Sequence, residues 1–164
     1  MPRITPNLWF DTEAAEAAAF YVSVFPNSKI TATTHYGSAG PRPAGTVLTV
    51  DFELDGQRVT AINGGPQFTF SEALSLLVEC VDQAEIDHYW EALGAGGEAG
   101  PCGWLKDRYG LSWQVCPTGM TELLNDADPE RGQRAMRAMF GMGKLDVAAL
   151  HAAADATEPV PAGG

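Results

Sequence analysis

The chain has 164 residues, 45% hydrophobic and 19% charged, with a formal net charge of -11 at neutral pH. That is the balance of an ordinary globular protein with a core of its own, and it excludes a disordered or fibrous chain. The acidic excess argues against nucleic-acid and anionic-membrane partners, which are held by Lys and Arg.

The N-terminal Met1-Pro2-Arg3-Ile4-Thr5-Pro6 lacks the features of a signal peptide, and no apolar run approaches the roughly 20 residues needed to span a bilayer. Cys80, Cys102 and Cys116 show no C-x-x-C spacing, so neither a disulfide framework nor a zinc ribbon is indicated. A soluble protein of the reducing cytoplasm is expected.

In chain order, Ile4 to Phe10 reads as a strand, irregular at its start because of Pro6. Asp11 or Thr12 is expected to cap an alanine-rich helix from about Glu13 to Phe25, which stops at Pro26-Asn27-Ser28. Lys29 to Tyr36 is Thr-rich and favours a strand; Gly37 to Gly45, with Gly and Pro interleaved, reads as a mobile loop. Thr46 to Leu54 and Gln57 to Asn63 are joined by Asp55-Gly56, the signal of a tight hairpin, and Gly64-Gly65-Pro66 breaks the chain.

The same order then begins again. Ala73 to Val81 is an apolar strand. Asp82-Gln83-Ala84-Glu85 resembles a capping box opening a helix whose Ile86, Tyr89, Trp90 and Leu93 share a face. Short strands are expected near Glu98, at Gly103 to Lys106 and at Leu111 to Cys116. Strand, helix and three strands thus recur at a spacing of roughly 70 residues, longer than solenoid periods, which suggests an internal duplication. The expected organisation is a first module over residues 1–66, a second over 67–118, a helical extension over 119–155 and a disordered tail over 156–164. Within the extension, Thr121 to Asn125 is a helical turn, Asp128-Pro129-Glu130 starts a helix ended by Gly141 and Gly143, and Asp146 caps another. Met136, Met139, Phe140 and Met142 need a surface to cover, either this chain's own sheet or a second subunit's.

The stretch Cys102 to Pro117 folds back on itself around the turn Lys106 to Gly110. Beyond the turn, Ser112, Gln114 and Cys116 point one way while Leu111, Trp113 and Val115 point the other. The polar face either meets bulk water or lines a cavity. Asp107 and Arg108 read as turn residues rather than catalytic ones, because Asp bonds the backbone of its own turn.

Two βαβββ units resemble the vicinal oxygen chelate superfamily of glyoxalases, extradiol dioxygenases and bleomycin-resistance proteins. More specifically, the chain resembles its PhnB-like branch, often labelled a 3-demethylubiquinone-9 3-methyltransferase domain. The matching residues are Pro6 to Asp11 with Phe20-Tyr21, Ile62 to Pro66 with Phe68 and Phe70, Leu74 to Cys80 with Asp82-Gln83, then Glu85, Asp87 and Trp90, and Cys102 to Trp104 through Ser112-Trp113-Gln114 to Pro117. The resemblance implies an α+β fold in which two tandem βαβββ modules form a glyoxalase/bleomycin-resistance-like half-barrel sheet enclosing a small-molecule cavity, with C-terminal helices added. The methyltransferase label is not supported by the residues. A Rossmann-type donor site needs a glycine-rich turn opening a helix after a parallel strand, whereas Gly94 to Gly100 follows a helix.

In metal-bearing relatives, positions on the first and last strands of each module supply His, Glu or Gln ligands. Carried over, they fall on Thr5 or Pro6, on Asn63, on Ser75 or Leu76, and on Gln114. Neutral donors of this kind are too weak for a divalent ion, so no metal and no cofactor is expected. His35, His88 and His151 read as surface residues.

On strand parity, Thr5, Asn7 and Trp9, with Ser75, Leu77 and Glu79, face away from the helices, and Asn63, Ser112 and Gln114 are expected to join them; Trp104 is a further wall. Aromatic faces with a few amides and hydroxyls suit an organic ligand. Glu79, within Leu76 to Val81, is either exposed at a sheet edge or poised in the cavity as an acid or base. Cys80 and Cys116 read as core residues. The leading expectation is a homodimer binding a small organic molecule in a metal-free cavity. The alternative is a glyoxalase-like lyase or isomerase, or another small-molecule enzyme, using Glu79 or an unplaced divalent metal.

Overall fold

In the computed structural model, which describes residues 1–157, the chain divides into two compact units, Met1–Ser71 and Glu72–Gly164. Each has a four-stranded sheet of the same topology, so the repeat seen in the sequence is a repeat of structure.

The first unit runs β1 (Asn7–Phe10), α1 (Ala14–Val24), β2 (Lys29–His35), β3 (Val47–Leu54) and β4 (Gln57–Asn63), in the sheet order β1-β4-β3-β2. β1 lies parallel to β4, and the other neighbours are antiparallel. The β3–β4 hairpin turns at Asp55 and Gly56, both at positive φ, where glycine loses nothing and Asp is tolerated. Alternation puts Leu8, Phe10, Val50, Phe52, Val59 and Ala61 on one face. Against it lie Ala14, Ala17, Ala18 and Tyr21 of α1, all fully buried. The alanines let the helix sit close to the sheet.

Two expectations are corrected here. β1 begins at Asn7 rather than Ile4, which is almost fully exposed; Pro6 has no N–H for the ladder, although its carbonyl accepts from Thr60. Neither Asp11 nor Thr12 caps α1. The N-cap is Glu13, whose side chain accepts from Thr12 N–H rather than from the helix, and Asn63 Oδ1 accepts from the Ala14 N–H at 2.9 Å. Asp11 instead pairs with Arg42. That pair, together with Tyr36 Oη donating to the Asn63 carbonyl, ties down the connection expected to be a mobile loop.

The second unit repeats the plan with β5 (Ser75–Cys80), α2 (Gln83–Gly94), β6 (Glu98–Ala99), β7 (Trp104–Lys106) and β8 (Ser112–Pro117), ordered β5-β8-β7-β6. Half of the capping box forms: Asp82 accepts from the Glu85 N–H, while the Glu85 carboxylate reaches one residue past the cap, to the Val81 N–H. Ile86 and Leu93 of α2, with Leu105, Leu111, Trp113 and Val115 of the sheet, make the core. Asp107 is buried and receives three N–H groups, from Tyr109, Leu111 and the Trp113 indole. The turn is thereby locked to the core beneath it.

Three helices follow, α3 (Met120–Leu124), α4 (Pro129–Phe140) and α5 (Val147–Asp155). Asp128 and Asp146 cap the last two. Gln83 fastens the extension to α2, donating to the Leu145 carbonyl and accepting from Val147 N–H. The expectation of a disordered tail falls mostly on residues 158–164, outside the described residues.

Candidate functional site

A cavity of about 710 Å³ opens on the second unit's sheet, on the face turned away from α2. Strand parity builds its floor. β8 sends Trp113 and Val115 into the core, so Ser112, Gln114 and Cys116 face the cavity; β7 buries Leu105 and presents Trp104 and Lys106. Trp104 stands opposite Gln114 in the register, and Lys106 opposite Ser112. Met120 and Leu124 of α3 with Met139 and Phe140 of α4 complete the lining. Of the extension's four apolar residues, Met139 and Phe140 meet this cavity, Phe140 remaining 66% exposed.

The polar groups are few and distinct. Gln114 Nε2 donates to Ser75 Oγ at 2.9 Å, leaving its carbonyl oxygen without a partner among the described residues. Ser112 is 1% exposed, and its Oγ is the one buried side-chain oxygen or nitrogen among the described residues without a hydrogen bond. An orphaned buried hydroxyl costs about 1–3 kcal/mol until some donor or acceptor completes the bond. Lys106 Nζ meets Glu72 Oε1 at 2.5 Å. That hydrogen bond holds the Glu72 carboxyl below the usual range and raises the Lys106 ammonium, with Glu98 adding to the latter. Burial, then the nearby Glu79 and Cys102, pushes the Cys116 thiol up. It faces the cavity half-buried rather than lying in the core, as a neutral thiol and not as a nucleophile.

Of the residues singled out from the sequence, Trp104, Ser112 and Gln114 come together in this cavity, with Ser75 joined through its bond to Gln114. Glu79 takes the exposed alternative: it lies on edge strand β5, opposite Cys116, and is not in the cavity lining. The other four belong to the first unit. Thr5 precedes β1, half-buried, and Asn7 is exposed at its start. Trp9 packs on the turn after β4, its indole donating to the Gly65 carbonyl at 2.9 Å and meeting Phe68 edge-on. Gly64 is required there, since a Cβ would come within 2.2 Å of the Trp9 ring. Asn63 is corrected as to face. It is buried on the α1 side, its amide engaged with Ala14 N–H and the Val47 carbonyl.

Lys106, Glu72 and Glu98 were not foreseen. Lys106 has the parity of Trp104, which is the signal that could have found it; Glu72 precedes its strand and carries none.

The family sequence model described as 3-demethylubiquinone-9 3-methyltransferase matches residues 2–116. The chain belongs to this family. Among solved structures, a Bacillus cereus protein described as a putative 3-demethylubiquinone-9 3-methyltransferase, PhnB protein, is 36% identical over 71% of this chain and 100% of its own, with a TM-score of 0.64. A protein from Pseudomonas aeruginosa is 21% identical over 71% of this chain and 98% of its own, at a TM-score of 0.59. The fosfomycin resistance protein FosX from Listeria monocytogenes is 14% identical over 74% of this chain and 94% of its own, at 0.53, and shares the fold alone. No curated protein matches the chain. The PhnB-like branch of the vicinal oxygen chelate superfamily and its tandem glyoxalase/bleomycin-resistance-like fold are thus the chain's own, while the helices from Met120 onward lie beyond the matched residues 2–116.

The superfamily's divalent ion does not fit these residues. Asn63 is committed to capping α1, Gln114 and Ser75 bond each other, and Thr5 precedes its strand. All are neutral, where such an ion takes imidazole, thiolate or carboxylate. Among the described residues no three His, Cys, Asp or Glu side chains cluster to replace them.

Proposed function

We propose that this chain is a metal-independent binder of a small organic molecule, held in the cavity of the second unit. The observation that carries the reading is a cavity of about 710 Å³ with mostly apolar walls and an unpartnered, buried Ser112 hydroxyl in its floor. This volume lies in the range of drug-sized ligand sites, about 300–1,000 Å³, where apolar walls give area and a few polar groups give orientation. Methyl transfer, the activity in the family description, draws no support from the site: Gly94 to Gly100 runs out of α2 into β6, not from a strand into a helix. The enzyme reading that makes Glu79 an acid or base lacks a supporting contact, because that carboxylate is exposed outside the cavity lining.

We also propose that the protein is a cytoplasmic homodimer. Leu74, Leu77 and Val81, in and beside edge strand β5, are 54%, 56% and 71% exposed, an apolar edge that calls for cover. No described helix is long and apolar enough to cross a membrane. The test is a thermal-shift screen of small organic compounds in the presence of chelator, repeated on Trp104→Ala and Gln114→Ala. Compounds that stabilise the protein, and lose that effect in both variants, are the expected result. Hits that stabilise both variants equally would place the ligand elsewhere and overturn the reading.

A further inference from the structure

The charges of the cavity do not balance. Glu72, Glu98 and Lys106 line it, two carboxylates against one ammonium. The ammonium is answered already: it pairs with Glu72, and Glu98 stands opposite it in the β6–β7 register. An incoming anion therefore meets no unpaired cation in the lining, while one carboxylate remains in excess. The walls point the same way. The faces of Trp104 and Phe140 carry negative quadrupoles that attract cations, and the sulfurs of Met120 and Met139 are soft and polarizable. In the floor, the Gln114 carbonyl is an open acceptor and Ser112 Oγ accepts as readily as it donates.

We propose that the cavity selects organic cations, molecules with a flat or bulky apolar body bearing an amine or guanidinium group. The apolar body lies against Trp104 and Met139, and the charged nitrogen turns toward Glu98 and the floor acceptors. This deepens the small-molecule reading and rests on it. It also separates this cavity from sites built for phosphonates or carboxylates, which need an unpaired Arg or Lys.

Three probes of one size isolate the charge: 1-naphthylmethylamine, 1-naphthalenemethanol and 1-naphthoate, titrated calorimetrically into the full chain at low and high salt. The amine is expected to bind about tenfold more tightly than the carboxylate at low salt, the size of effect expected from reversing a charge beside a part-exposed carboxylate, and the gap should narrow as salt rises. Glu98→Gln, an exposed position on a short strand, should narrow the gap between amine and carboxylate at least about threefold. A carboxylate that binds as tightly as the amine overturns the selection for cations and leaves the binding reading standing. If no probe binds and none moves the Trp104 indole resonance, both fall.

Discussion

Replacing Ser112 by Ala should do two things of opposite sign, and that combination distinguishes a binding group from a structural one. The hydroxyl is enclosed, with its residue 1% exposed, and has no hydrogen-bond partner. A buried hydroxyl without a partner costs about 1–3 kcal/mol relative to its solvated state. Ala keeps the Cβ and removes the cost, so the free protein should gain ~1 kcal/mol, a rise of about 2–4 °C in Tm for a chain of this size. A bound ligand that completes the bond should lose about 0.5–1.5 kcal/mol, a weakening of roughly twofold to thirteenfold. Urea unfolding and calorimetry give the first number, and titration with 1-naphthalenemethanol gives the second. A variant less stable than wild type by more than about 1 kcal/mol would mean that the hydroxyl has a partner in solution, and the reasoning from an orphaned group would fail.

Asn63→Ala removes the cap of α1 and a bond to the Val47 carbonyl at once; a loss of about 2–3 kcal/mol is expected in urea unfolding, with no effect on probe binding in the second unit. Asp107→Ala strands three donors beneath the β7–β8 turn, and should cost at least about 3 kcal/mol and alter the near-ultraviolet signal of Trp113. Burial, followed by Glu85, Cys116 and Asp82, pushes the Cys80 thiol from its usual value of 9.0 up to about 12. The unfolded chain therefore releases this proton first, so the stability this thiol contributes should be fully present below about pH 8.5 and be lost as pH rises toward 12. Cys80→Ala should flatten that alkaline slope, and an unchanged slope would assign it to another group.

The duplication was legible because its signals are local. Asp55-Gly56 demands a hairpin, Asp82 marks a helix start, and the alternation from Leu111 to Cys116 sorts core from polar face; each holds in the structure. The errors came from partners distant in sequence. Asn63 has the composition of a ligand-facing amide, but the N–H it satisfies belongs to Ala14, far outside any local window. Parity also failed to find Glu72, which lies before β5, lines the cavity and pairs there with Lys106. Met139 and Phe140 announced a missing surface, and Trp104 a wall, but that the first two complete the cavity holding the third needs three dimensions. For Glu79 the pattern was consistent with both exposure and burial; its place on an edge strand decides for exposure.

The central claim is that an organic molecule binds in this cavity without a metal, and its most direct measurement is calorimetric titration of 1-naphthylmethylamine into exhaustively chelated protein, repeated after adding back manganese, zinc or magnesium. The account predicts the same Kd in every case, because Thr5, Asn63, Ser75 and Gln114 are all neutral donors, too weak to hold such an ion. Binding that appears only when one ion is restored, or tightens about tenfold or more with it, would contradict the account and require ionic ligands that these residues do not supply.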